Sequence, residues 1–146
     1  MKPMLASIGT QDLLDRKGYY FEAKLDGIRA LCFKKNKLKF TSRNGINITS
    51  KYPEFMFFDY LDAKECILDG EILVYDENGH PSFNLWAQKN EGKGDLEATY
   101  VVFDILYLNG KSLLNEPLYA RKKILEKVVK EKDNLQTSFY TKKGSE

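Results

Sequence analysis

Five runs rich in β-branched and aromatic residues, at about 19–24, 28–34, 37–42, 66–75 and 99–108, are separated by turn dipeptides, a rhythm that constrains the fold more than any other feature. Asp26-Gly27 and Asn36-Lys37 fall at turns, and Asn44-Gly45, Asn78-Gly79 and Asn109-Gly110 supply residues that tolerate positive φ. The expectation is antiparallel sheet, with hairpins dominating the first part of the chain. Helices are fewer. Pro53 at a first-turn position predicts a short helix to Asp62, and Phe83 to Lys89 predicts a second. Pro117 opens the clearest helix, to about Lys132, with Leu118, Ile124, Leu125, Val128 and Val129 forming an apolar stripe. The opposite face, with Arg121, Lys122, Lys127 and Lys130, reads as solvated. A last strand is expected from Gln136 to Tyr140. The fold class is α+β, with largely antiparallel sheets flanked by helices.

A chain of 146 residues, 42% of them hydrophobic, can hold one core without metal or disulfide staples. With 23 basic and 21 acidic residues the net charge is only +2, so a nucleic-acid partner would need cations gathered on one face. No apolar run approaches the roughly 18 residues that cross a bilayer, and the start lacks a secretory pattern, so no membrane role and a cytoplasmic location are expected. Cys32 and Cys66 lie far apart in apolar stretches and read as buried free thiols, and the single His80 does not complete a zinc site with them.

Polar residues interrupt the apolar pattern at four places. In Ile67-Leu68-Asp69-Gly70-Glu71-Ile72-Leu73-Val74 the strand period puts Asp69 and Glu71 on one face, where two carboxylates in so apolar a run need either solvent or partners. Lys24-Leu25-Asp26-Gly27-Ile28-Arg29 places a lysine at a strand end before a turn. Ser42-Arg43-Asn44-Gly45 brings another cation to a strand end, and Asp104 breaks the run from Tyr100 to Leu108 directly after Phe103.

In order and approximate spacing, these four segments resemble the first four motifs of covalent nucleotidyltransferases, the superfamily of ATP-dependent DNA ligases, RNA ligases and messenger-RNA capping enzymes. The opening Lys2-Pro3-Met4-Leu5-Ala6, the Phe83-Asn84-Leu85-Trp86 segment, and Pro117-Leu118 followed by Arg121 resemble the ligase domain of bacterial and archaeal end-joining DNA ligases. The resemblance implies an adenylation (nucleotidyltransferase, ATP-grasp-like) domain in which Lys24 attacks the α-phosphate of ATP to form lysyl-AMP. AMP would then pass to the 5′-phosphate of a nick in double-stranded DNA. By the same analogy Glu22 and the Ala23 backbone face the adenine edge, Arg29 and Glu71 the ribose, and Phe103 the adenine face by stacking. Arg43 contacts phosphate, Glu71 also helps place Mg²⁺, and Asp26 orients the 3′-hydroxyl end or a metal in the sealing step. Asp104 supports the site from behind.

Family members continue with E-G-x-x-x-K and K-x-K-like motifs and an OB-fold domain, and none of these occurs in residues 1–146. The expectation is the N-terminal part of a single adenylation domain, truncated at its C-terminus and weakly active or inactive alone. A complementary ligase fragment, or self-association through exposed strand edges, is expected as a partner. Two alternatives stay open: a GTP-dependent capping guanylyltransferase, and a non-catalytic or split nucleotide-binding module.

Overall fold

A computed structural model describes residues 21–22, 25–138 and 140–141, with side chains from 25 to 138. The elements are β1 (Phe21–Glu22), β2 (Ile28–Lys34), β3 (Leu38–Ser42), β4 (Cys66–Leu73), α1 (Phe83–Asn90), β5 (Thr99–Leu108), β6 (Lys111–Ser112), α2 (Leu118–Val128), β7 (Leu135–Thr137) and β8 (Tyr140–Thr141). The main sheet has the order β3-β2-β4-β5-β6, with β7 added beside β5, and β1 pairs with β8 in a separate ribbon. All pairings are antiparallel except β5 with β7, which is parallel. Among the described residues no helix is long and apolar enough to cross a membrane.

Paired residues of an antiparallel ladder share a face, so the register assigns every side chain. Ala30, Cys32, Leu68, Ile72, Tyr100, Val102 and Ile105 share one face and join Phe40, Phe55 and Phe57 in the main core. Tyr100 crosses beneath the sheet and donates its hydroxyl to the carbonyls of Ala30 at 2.9 Å and Leu68 at 3.3 Å. That path explains Gly70: a Cβ there would lie 2.9 Å from the Tyr100 ring and 2.5 Å from the Val101 carbonyl oxygen. Gly70→Ala is therefore expected to cost about 1–3 kcal/mol, the usual range for forcing atoms into a filled core, read as a lower urea midpoint. Cys32 and Cys66 are buried and free, as the sequence indicates.

Four expectations need correction. Residues 53–62 form no α-helix; the segment carries one 3₁₀ turn, Phe58–Tyr60, and another, Thr49–Lys51, precedes it. Phe55 and Phe57 point inward while Met56 is exposed, a period of two that a helix cannot satisfy. The helix expected to reach Lys132 ends at Val128, because Val129 turns extended and pairs with Leu61 while Asp62 N–H bonds the Val128 carbonyl. The face of α2 read as solvated is partly interior: Arg121 and Lys122 are 9% and 2% exposed, whereas Lys127 and Lys130 do face water. The expected last strand divides into β7 and β8, the latter antiparallel to β1 with Tyr140 opposite Glu22.

Candidate active-site face of the sheet

The second face of the main sheet carries the polar residues. Arg29 lies opposite Glu71, and Leu31 opposite Asp69, in the β2–β4 ladder. Asp69 in turn lies opposite Asp104 and Glu71 opposite Val101 in the β4–β5 ladder. Between those last two pairings the register slips by one residue, leaving Phe103 unpaired in a β-bulge. A bulge re-aims side chains. Here it lets Phe103 and Asp104, neighbours in sequence, serve one face, and the Phe103 ring lies 4.7 Å from the Arg29 guanidinium carbon.

Arg29 is held as a fork. Its Nε and NH2 donate to the two Asp69 oxygens at 2.7 and 2.6 Å. Asp69, 1% exposed, thus has its partner, and burial pushes its carboxyl up while the guanidinium pulls it back. Bidentate pairing with Arg29 is the geometry that offsets so costly a desolvation. Glu71 is half-buried, with the Gly27 backbone N–H placed to favour its ionised form. Gly27 approaches β4 so closely that a Cβ would collide with the Ile72 carbonyl oxygen and come within 2.9 Å of Leu73 Cβ. The glycine of Lys-x-Asp-Gly-x-Arg is required by that approach.

Burial pushes the Glu71 carboxyl above the ordinary range, against the opposing pull of the Gly27 N–H and Arg29. The folded state then holds a proton that the unfolded chain releases. This group's contribution is fully present below about pH 4.3, the ordinary glutamate value, and is lost as pH rises through its higher folded value. Glu71→Gln is expected to flatten that decline, measured as urea midpoints at a series of pH values above 4.

The other predicted residues fall as follows. Asp26 is exposed in the bend before β2, near enough to Glu71 to disfavour its ionisation. Arg43 is exposed in the turn after β3, closed by Gly45 N–H to the Ser42 carbonyl at 2.9 Å with Gly45 at φ 81°. Because Ser42 pairs with Ala30, this turn lies at the end of the sheet where Arg29 and Glu71 sit. The backbone of Glu22 lies in β1, while Ala23 and Lys24 lie outside the described residues. Asp104 is buried and bound by Arg121 Nε at 2.8 Å.

The prediction missed Arg121 and Lys122, the cations that reach this stretch of β5 from α2. The signal was available: a carboxylate in the middle of a buried strand requires a cation, and a helix with two adjacent basic residues follows that strand. Among the described residues no three potential metal ligands cluster.

A family profile described as "ATP dependent DNA ligase domain" matches residues 3–145. The multifunctional non-homologous end joining DNA repair protein LigD of Mycobacterium tuberculosis is 36% identical over 128 residues, covering 86% of this chain and 16% of that protein. DNA ligase 2 of Methanosarcina acetivorans is 35% identical over 143 residues, covering 88% of this chain and 25% of that one. The solved ligase domain of M. tuberculosis LigD superposes with a TM-score of 0.74 at 31% identity, covering 95% of this chain and 45% of the structure. A mycobacterial DNA ligase D complexed with ATP and MES gives 0.74 at 28% identity, covering 95% and 46%. The chain thus spans less than half the length of each of these relatives. With the family profile running almost from end to end and a shared architecture at this level of identity, the chain belongs to the ATP-dependent DNA ligase domain family.

Proposed function

We propose that this chain is the nucleotide-accepting part of a DNA ligase adenylation domain, with Lys24 as the nucleophile. The observation that carries the reading is the convergence of Arg29, Glu71 and Phe103 on one face of the sheet from three strands, with the Lys24–Gly27 segment leading directly into β2. An aromatic face, a guanidinium and a half-buried carboxylate suit a nucleoside: the base stacks and the ribose hydroxyls accept and donate. The ATP-bound relative supports adenine nucleotide as the ligand.

In the reaction so proposed, the neutral Lys24 amine attacks the α-phosphorus and the bond to the β-phosphate oxygen breaks. Pyrophosphate leaves, the amine proton is lost to solvent, and a phosphoramidate remains. AMP then moves to a DNA 5′-phosphate, and the 3′-hydroxyl attacks that phosphate as AMP departs. Phe103 and Arg29 hold the nucleoside, and Arg43 meets phosphate charge. Glu22 and the Ala23 backbone read the base edge, and Asp26 orients the 3′-hydroxyl end. Asp26 and Glu71, near enough that Asp26 disfavours the charge of Glu71, would hold Mg²⁺ as hard oxygen ligands. When bound it neutralises phosphate charge. The remaining lysines and carboxylate for catalysis would come from the rest of an adenylation domain, and nicked double-stranded DNA is the substrate.

Nucleotide binding tests the reading. Phe103→Ala is expected to weaken ATP binding by about 5- to 100-fold, the loss of one base–aromatic stack. Equilibrium dialysis with ATP and GTP side by side checks it; equal affinity for the two, or no loss in the variant, contradicts the adenosine assignment.

A further inference from the structure

Two consecutive residues of α2 grip two consecutive residues of β5. Arg121 donates from Nε and NH2 to the Asp104 oxygens at 2.8 and 3.2 Å, and from NH1 to the Glu116 carbonyl at 2.7 Å. Lys122 Nζ donates to the Phe103 carbonyl at 2.5 Å. Both cations are almost fully removed from water, at a desolvation cost of several kcal/mol each. A solvated helix face carries no such cost, so this arrangement is informative. It falls on one of the two places where the β4–β5 register shifts, the one between Asp69 and Gly70 that leaves Phe103 without a β4 partner. The Phe103 ring nevertheless lies against the Arg29 guanidinium.

We infer that Arg121 and Lys122 are positioning residues that lock the β5 bulge and thereby fix the Phe103 ring as a platform for the nucleotide base. Arg121 fixes the residue after Phe103 through its carboxylate, and Lys122 fixes Phe103 itself through its carbonyl. Without them the strand regains the freedom to slip toward regular pairing, in which Phe103 and Asp104 point to opposite faces. Arg121 also neutralises Asp104, whose charge disfavours that of its cross-strand neighbour Asp69 and so weakens the Asp69–Arg29 fork. The inference rests on the nucleotide reading above, and its test separates the two.

Binding of ATP and of inorganic tripolyphosphate is measured for the full chain and for Lys122→Met, Arg121→Lys and Phe103→Leu, alone and in pairs with Phe103→Leu. Lys122→Met keeps the apolar stem and Arg121→Lys keeps the charge, so both variants retain a filled interior. The expected result is about a 2- to 20-fold loss of ATP affinity in each positioning variant, with tripolyphosphate binding unchanged. In the Phe103→Leu background neither substitution should weaken ATP further. Additive losses, equal losses for both ligands, or wild-type ATP affinity in both variants overturn the positioning role. If wild type binds ATP no better than it binds tripolyphosphate, or Phe103→Leu has no effect, the nucleotide reading itself falls.

Discussion

Replacing Arg29 by alanine is expected to destabilise the folded chain by about 3–5 kcal/mol, the usual consequence of removing one partner from a buried ion pair. The size follows from where Asp69 sits. Its carboxylate is 1% exposed, both oxygens are taken by the same guanidinium, and the buried Asp104 stands across the β4–β5 ladder. With Arg29 gone, two carboxylates face each other and, among the described residues, Arg121 on Asp104 is the remaining cation bound to either, so Asp69 must protonate or the sheet must open. Arg29→Lys should recover part of the loss, because an ammonium supplies charge without the two-point fork. The Arg29→Met and Asp69→Leu pair should be more stable than Arg29→Ala alone, since no buried charge is then left unpaired. Urea denaturation of the four proteins checks this. A loss below 1 kcal/mol in Arg29→Ala would show that Asp69 finds another partner.

Lys24→Ala is expected to remove the covalent step, on the order of 10⁶-fold in rate, as when other covalent nucleophiles are deleted. The effect should be confined to capture of the nucleotide. In a ligase domain that contains this chain, a nick already carrying 5′-adenylate bypasses that step, because its sealing needs only attack by the 3′-hydroxyl and departure of AMP. Ligation of pre-adenylated nicked DNA should therefore survive in Lys24→Ala, while ligation from ATP does not. Asp26→Asn is expected to show the reverse pattern, losing more on the pre-adenylated nick than in nucleotide capture. Gel assays of both substrates with both variants decide it; equal loss on the two substrates in Lys24→Ala would mean that this lysine acts in sealing as well.

Local signals accounted for the strands. β2 and β5 match their predicted spans because β-branched and aromatic runs end at residues with turn preferences, and Asn109 and Gly110 do adopt positive φ. The D-G-E triplet pointed to a polar face because a period of two allows no other reading. What the sequence concealed depends on distant partners. Whether Asp69 met solvent or a cation stayed undecided until the β2–β4 register placed Arg29 beside Glu71, one step from it. The bulge at Phe103 has no local signature, since it is an offset between two strands. Arg121 and Lys122 read as surface because a helix with basic residues on one side is amphipathic by any count, and only the buried Asp104 and the open Phe103 carbonyl turn that side inward. Residues 53–62 misled for a related reason: a proline followed by aromatic residues opens a helix in isolation, but the core takes Phe55 and Phe57 on one side.

The central claim is that a single lysine, Lys24, becomes covalently attached to adenylate. Peptide mapping by mass spectrometry tests it most directly, after incubating residues 1–146, completed by the C-terminal half of a ligase domain, with ATP and Mg²⁺. The account predicts one AMP on the peptide containing Lys24, joined by an acid-labile bond and absent when Lys24 is alanine. Adenylate on any other lysine, or on none while the completed domain still seals nicks with ATP, would contradict it.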